Sequence, residues 1–213
     1  MSHRQQLERL LPAAGIPMEP AQLDRLATYA DWLADEALRA GGIGPAEADR
    51  IIDRHVLDAL TFLLVFQQVD HAPTAITDLG SGVGLPGIPL AVALPGTPVH
   101  LVDRSGRRLG LAARAIRMLG LDNAETHQEE FESLSLSPTD TVVARAALPP
   151  SVLLPVVERQ TGQSGVGVVA ASRWERVDNP PFRTLRLDLE VLDQTRWFLI
   201  MAPSLPAESG GGA

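Results

Sequence analysis

At 213 residues, 45% hydrophobic and 21% charged, the chain has the length and apolar content for one α/β domain, or one domain with a helical extension, around a real core. The absence of cysteine excludes disulfides and thiolate metal sites, and a net charge of −8 argues against nucleic-acid binding by bulk electrostatics. The richest apolar stretch, Leu57 to Val69, is broken by Thr61, Gln67 and Gln68, and the N-terminus lacks the apolar core of a signal peptide; no membrane association and a cytoplasmic location are the default expectations.

In chain order, Leu7, Leu10 and Leu11 lie at helical spacing before Pro12, Gly15, Pro17 and Pro20 interrupt. A stronger helix is predicted from Ala21 to Ala40, with Leu23, Leu26, Ala27, Ala30, Leu33, Ala37 and Leu38 stepping by threes and fours until Gly41-Gly42 stops it. Ile51 to Phe66 reads as a third helix, apolar on most sides. From residue 75 short apolar runs alternate with helices. Ala75 to Leu79, Val99 to Val102, Thr141 to Ala144 and Val166 to Ala171 fit buried parallel strands. Helices fall at Leu85 to Leu94, at Arg107 to Leu119 (ended by Gly120) and near Ser151 to Arg159. Phe182 to Leu192 and Arg196 to Ala202 are predicted to pair as antiparallel strands around Asp193-Gln194-Thr195. The expected organisation is a helical cap over residues 1–70, a sheet core over 71–205, and a disordered tail over 206–213, where Glu208 to Ala213 is small and polar.

The segment Asp78-Leu79-Gly80-Ser81-Gly82-Val83-Gly84-Leu85-Pro86-Gly87 follows a strand and opens a helix, where glycines let a ligand lie on the backbone. Its free N–H groups and the helix dipole would favour a negatively charged ligand group. Gly82 to Gly87 matches the G-x-G-x-x-G pattern of dinucleotide sites, and Asp103, about twenty residues on, could accept ribose hydroxyls in either cofactor class. Asp78 ahead of the first glycine, the helical block before the first strand, and the terminal strand pair favour S-adenosylmethionine and a methyltransferase sheet; a dinucleotide site and a purely structural turn are the alternatives.

Asp78 to Leu90, with its Leu85-Pro86-Gly87-Ile88-Pro89-Leu90 extension, closely resembles the signature of the bacterial 16S ribosomal RNA guanine-N7 methyltransferases, the glucose-inhibited division protein B family. Arg54-His55-Val56-Leu57-Asp58, Val102 to Arg108, Gln128 to Phe131 and Val143 to Ala146 resemble further family segments, so the likeness covers roughly residues 5 to 202. The resemblance implies an α/β, Rossmann-like, seven-stranded sheet, mostly parallel with an antiparallel last strand, beneath an N-terminal helical cap. It implies S-adenosyl-L-methionine as cofactor, with Asp78, Gly80, Gly82, Gly84, Leu85, Asp103, Gln128, Glu129 and Arg145 around it. Asp103 would hold the ribose, Gln128 and Glu129 would border the adenine, and Arg145 would stand beside the cofactor. On the substrate side it implies His55, Arg107 and Arg173, with 16S rRNA or the small ribosomal subunit particle as partner. Residues 40–44 lack the family's Asn-Leu-Thr, Ala59 replaces a serine, and Ser172 stands in place of a lysine. These departures keep open another, small-molecule, substrate or a non-catalytic cofactor-binding homologue.

Methylation at guanine N7 needs no general base, and no catalytic residue stands out. Arg104, Arg107, Arg108, Arg114 and Arg117 form a basic strip that reads as a solvated helix face, with phosphate contact as the alternative. His55 and Asp58 are spaced to pair with each other or to meet a ligand. The histidines at 3, 55, 71, 100 and 127 are too dispersed along the chain to suggest a metal site, so no metal is expected. Trp32, Trp174 and Trp197 read as packing residues.

Overall fold

Seven strands form one sheet in the computed structural model: β1 (Ile76–Leu79), β2 (Val99–Val102), β3 (Ala124–His127), β4 (Thr141–Arg145), β5 (Val166–Ala171), β6 (Arg183–Leu189) and β7 (Gln194–Met201). Their order is β3-β2-β1-β4-β5-β7-β6; β1 to β5 are mutually parallel and β7 runs antiparallel to both β5 and β6. This is the sheet expected from the sequence. The structure describes residues 1–145, 148–162, 164–171 and 181–203; Arg173, Ser172, Trp174 and the expected tail lie outside them.

Helices cover both faces, which is why the central strands β1 and β4 are buried along almost their whole length. On one face α1 (His3–Ala13), α2 (Pro20–Trp32), α3 (Leu57–Gln68), α4 (Gly87–Ala93) and α5 (Gly106–Leu119) share a single hydrophobic cluster with Ile76, Val99, Leu101 and Val143. On the other, α6 (Pro150–Thr161) sets Leu153, Leu154 and Val157 against Leu79, Val102, Val142 and Ala144. Neighbouring residues along a strand therefore serve opposite cores, as the pleat requires. The cap is tied down by polar contacts as well: Gln22 Nε2 on α2 donates to the carbonyls of Val92 (3.1 Å) and Ala93 (3.0 Å) at the end of α4.

Five elements differ from expectation. The strand β3 was not anticipated, because its sequence Ala-Glu-Thr-His carries no apolar run and it sits at the sheet edge with one side open. The predicted helix over 21–40 is α-helical only to Trp32 and then widens into a π-helical turn, Leu33–Ala37. The predicted helix over 51–66 likewise opens with a π-helical turn, Ile51–Val56, before α3. Each π-helical segment is only five or six residues, about one turn, too short for apolar periodicity to separate it from the α-helix it adjoins. Helix α4 begins at Gly87 and not Leu85, with Pro86 at its cap; β6 ends at Leu189, and the last hairpin turns through Glu190–Leu192 and Asp193, whose φ is +49°.

The edge strand is anchored at its start by one side chain. Asn123 Nδ2 donates to the carbonyls of Ala91 (3.1 Å), Leu94 (3.1 Å) and Thr97 (3.0 Å), gathering the end of α4 and the turn into β2. Asn123→Ala leaves three part-buried carbonyls without this donor and is expected to lower stability by about 2 kcal/mol in urea unfolding. A change below about 0.5 kcal/mol would show that solvent replaces the amide fully.

Candidate functional site

The glycine loop leaves β1 at the point where the strand order reverses, with β2 on one side and β4 on the other, the crevice in which open α/β sheets bind ligands. The loop folds back on itself. Gly80 and Ser81 N–H both donate to Val102 O (2.8 and 3.1 Å), and Gly84 and Leu85 N–H both donate to Ser81 O (2.8 Å each). Gly82 N–H donates to Asp103 Oδ2 (3.0 Å) and Gly87 N–H to Asp78 Oδ2 (2.7 Å). Gly80, Gly82 and Gly84 hold φ of +76°, +58° and +104°, conformations that explain why glycine recurs here. From the cap, the buried Tyr29 hydroxyl donates to Val83 O (3.0 Å), and Gly42 packs so closely that a Cβ there would meet Val83 Cγ1 at 2.4 Å.

Above the loop lies an open cavity of about 1140 Å³. Its floor is Gly80, Ser81, Gly82, Val83 and Leu85; its walls come from residues 42–44, from the segment carrying Glu47 to Thr61, and from the ends of β4, β5 and β7. The Ser81 hydroxyl is buried in this floor with no partner. A Cβ on Gly82 would meet nothing closer than Gly80 O at 4.0 Å.

A charged cluster holds the wall together. Asp58 Oδ2 accepts from Arg145 Nη1 (3.0 Å), and Asp58 Oδ1 accepts from Arg196 Nε on β7. Arg145 also donates to Arg54 O (3.1 Å) and points Nη2 at His55 Nδ1 (3.4 Å). Burial, and then the Arg145 charge, push the His55 pKa down, so the ring is neutral with Nδ1 as acceptor. His55 Nε2 is then the protonated nitrogen; it has no hydrogen-bond partner and lies 3.5 Å from Glu47 Oε2. His55 and Asp58 do not pair with each other; Arg145 stands between their roles. Asp58→Ala strands two guanidinium groups whose side chains are only 17% and 21% exposed, and is expected to lower stability by about 2 kcal/mol, less than a fully buried pair would lose. Thermal unfolding with and without added salt checks this; a loss that disappears in salt would mark the cluster as a surface network.

Of the residues expected around the cofactor, Gly80, Gly82, Leu85 and Arg145 line the cavity, as does His55. The others take different positions. Asp78 is fully buried beneath the loop, where its Oδ2 accepts from Gly87 N–H. Gly84 packs downward on Ile88 and the Tyr29 hydroxyl. Asp103 is buried and does not line the cavity; its Oδ2 accepts from Gly82 N–H, and its Oδ1 accepts from Ser105 N–H (2.8 Å) and Arg108 Nη2 (3.2 Å). Gln128 and Glu129 follow β3 but do not line the cavity; Gln128 donates to Arg104 O (3.3 Å), and Glu129 accepts from Ser135 N–H (2.6 Å) and Oγ (2.8 Å), bonds that pull its pKa down. Arg107 donates to Ala40 O and does not line the cavity.

The basic strip on α5 is also partly spent internally: Arg107 on Ala40, Arg108 on Asp103 and Arg114 on Glu36 (2.6 Å). The arginines that do face the cavity are Arg50, Arg54, Arg108, Arg145 and Arg196, against the carboxylates Glu47 and Asp58. Sequence reasoning missed Ser81 and Arg196; the first had a signal in its position between two loop glycines, the second had none. Trp32 packs in the core, stacked on Tyr29 at 5.8 Å, whereas Trp197 lines the cavity wall under Arg186.

The loop has few donors to spare. The N–H groups expected to cradle an anion are turned inward at Gly80, Ser81, Gly82, Gly84, Leu85 and Gly87, and α4 starts only at the last of these. A pyrophosphate would find neither the amides nor the helix terminus it needs. Among the described residues, no helix is long and apolar enough to cross a membrane.

Residues 22–171 match the family model described as rRNA small subunit methyltransferase G. The chain is 37% identical over 150 residues to the ribosomal RNA small subunit methyltransferase G of Chlorobium luteolum, covering 68% of this chain and 60% of that one. It is 39% identical over 121 residues to that of Mycolicibacterium gilvum (55% and 52% covered) and 31% over 192 residues to that of Granulibacter bethesdensis (84% and 87%). The chain thus spans 60% and 52% of the length of the Chlorobium and Mycolicibacterium relatives. Among solved structures, a SAM-dependent methyltransferase from Aquifex aeolicus superposes with a TM-score of 0.54 at 14% identity, covering 74% of this chain and 97% of that one. TrmN from Thermus thermophilus gives 0.53 at 18% identity, with 69% and 49% covered. These two likenesses are of fold alone.

Proposed function

Because the chain belongs to the rRNA small subunit methyltransferase G family, we propose that it transfers a methyl group from S-adenosylmethionine to the N7 of a guanine in 16S ribosomal RNA. The observation that carries this reading is the contrast between the loop and the wall. A loop whose amides are turned inward is a poor seat for a dinucleotide, yet Gly82 leaves space and Ser81 a buried, unpartnered hydroxyl for a nucleoside-like ligand that carries no phosphate. The wall above it carries five arginines and two carboxylates on a chain whose overall charge is −8. Local positive charge of this kind suits phosphate-bearing substrate.

S-adenosylmethionine, when bound, supplies an electrophilic methyl on a sulfonium centre. Gly80, Ser81, Gly82 and Leu85 would hold it along the cavity floor. Guanine N7 has a lone pair and no proton, so the chain's task is positioning and not proton removal. Arg145, fixed by Asp58 and by Arg54 O, keeps its guanidinium at the cavity edge without adding a mobile charge. His55, neutral, offers Nε2–H as a donor to a substrate oxygen. The Asp103 and Asp78 carboxylates act through the loop they hold; Gln128, Glu129 and Arg107 are proposed to border the bound partners from outside the cavity, and Arg173 to contact the substrate.

With net charge −8, free RNA should bind weakly and with strong salt dependence, which favours an assembled small-subunit particle in the cytoplasm as the partner. Mass spectrometry of 16S RNA from a strain lacking the gene tests the substrate: one N7-methylguanine should be lost, and an unchanged level would sink this reading. Calorimetric titration of the full chain with S-adenosylmethionine, alongside NAD, tests the cofactor separately. Binding of the former without RNA methylation would turn the assignment toward a small-molecule substrate or a non-catalytic homologue.

A further inference from the structure

His100 on β2 and His127 on β3 are distant in sequence but adjacent in the sheet, and Glu125 lies on the same face of β3 as His127. His100 Nδ1 is 2.8 Å from Glu125 Oε1 and 3.2 Å from His127 Nε2, which is itself 3.2 Å from Glu125 Oε1. Three ligand atoms thus form a closed triangle. Hydrogen bonds alone do not account for it. A ring nitrogen either donates or accepts, and the carboxylate only accepts. If both rings donate to Glu125, their N–H groups face each other; if one ring accepts from the other, its lone pair, or the other's, faces the carboxylate oxygen. No placement of protons makes all three contacts attractive. A cation at the centre does, because every atom then presents a lone pair to it.

The spacing points the same way. A tetrahedral ion with metal–ligand distances of about 2.0–2.1 Å separates its ligands by roughly 3.3 Å, and the three edges here measure 2.8, 3.2 and 3.2 Å. The side chains are 23%, 61% and 21% exposed, so a fourth position opens to water. We propose that His100, Glu125 and His127 bind one divalent transition-metal ion of the zinc class, two imidazoles and one carboxylate selecting it over magnesium or calcium, which prefer all-oxygen sites. The ion clips the polar edge strand β3 to β2, adding a side-chain link to the four-residue backbone ladder that pairs them. It lies just before Gln128 and is separate from the cavity lining.

The test is calorimetric titration of the chelator-stripped full chain with zinc chloride, with magnesium chloride as the second arm. One zinc ion should bind per chain and magnesium should give no heat. Glu125→Gln and His127→Gln should each weaken zinc binding by more than the roughly 100-fold at which outer-shell changes top out, whereas His3→Gln should leave it unchanged. Zinc should raise the melting temperature of the wild type and not of the two variants, whose metal-free melting temperatures should match the wild type within a few degrees. If one variant fails to fold, the other carries the comparison. No stoichiometric zinc binding, or binding that survives Glu125→Gln and His127→Gln, would overturn the assignment.

Discussion

Gly82→Ala is expected to weaken S-adenosylmethionine binding at least tenfold while lowering stability by only about 1 kcal/mol, and Gly84→Ala is expected to do the reverse. The two positions look alike in sequence. In the structure, Gly82 has a left-handed φ of +58° that an alanine can adopt at about 1 kcal/mol, and its Cβ would point into open cavity. The loss then falls on the ligand that would occupy that space. Gly84 has φ of +104°, and a Cβ there would lie 2.3 Å from Ile88 Cδ1, 2.6 Å from Ile88 Cγ1 and 3.3 Å from the Tyr29 hydroxyl. Ile88 is fully buried, so relief requires repacking of the core beneath the loop as well as backbone strain. A stability loss of roughly 3 kcal/mol follows. Calorimetry and urea unfolding on the same two variants separate the effects. Equal affinity loss at equal stability would mean that the cavity over Gly82 is not where the cofactor lies.

The second large effect is with pH. Burial pushes the Asp78 carboxyl up to about 7, against the opposing pull of the Gly87 N–H bond. An unfolded aspartate titrates near 3.9. Between these values the folded chain holds a proton that the unfolded chain has released. The stabilisation from this group is therefore complete below about pH 4 and is lost as pH rises through about 7. Asp78 alone should take up to roughly 3–4 kcal/mol from the folded state between pH 4 and pH 8. In Asp78→Asn that slope vanishes, and the variant should be more stable than wild type at pH 8 by about 1 kcal/mol, the buried amide nitrogen offsetting part of the gain. Urea unfolding at several pH values reads both; parallel pH profiles for the two proteins would refute the assignment to Asp78.

The glycine loop and the parallel strands were legible because each is written locally. Four strands are short apolar runs, and Gly80, Gly82 and Gly84 mark backbone that side chains with a Cβ rarely follow. What the sequence hid is non-local or ambiguous in period. The strand β3 is polar because only the edge needs it. Ile51–Val56 winds as a π-turn under the same apolar stripe that an α-helix would show. The position of Asp103 after β2 marks it as a candidate ribose ligand, and its hydrogen bonds to Gly82, Ser105 and Arg108 depend on contacts that no local window contains. Likewise the pairing of His100 with His127 depends on strand order, which no local window contains.

Asp58 and Arg196 are joined across 138 residues of chain. During synthesis the loop, β1, β2 and β4 leave the ribosome well before β7, so a nascent chain can assemble its inner sheet while one wall of the cavity is still missing. The contact that closes that wall has the longest loop to close and should form last. The chain therefore gains its complete binding cavity only after its final strand has docked, and a product truncated before Gln194 would retain the glycine loop yet never enclose a ligand.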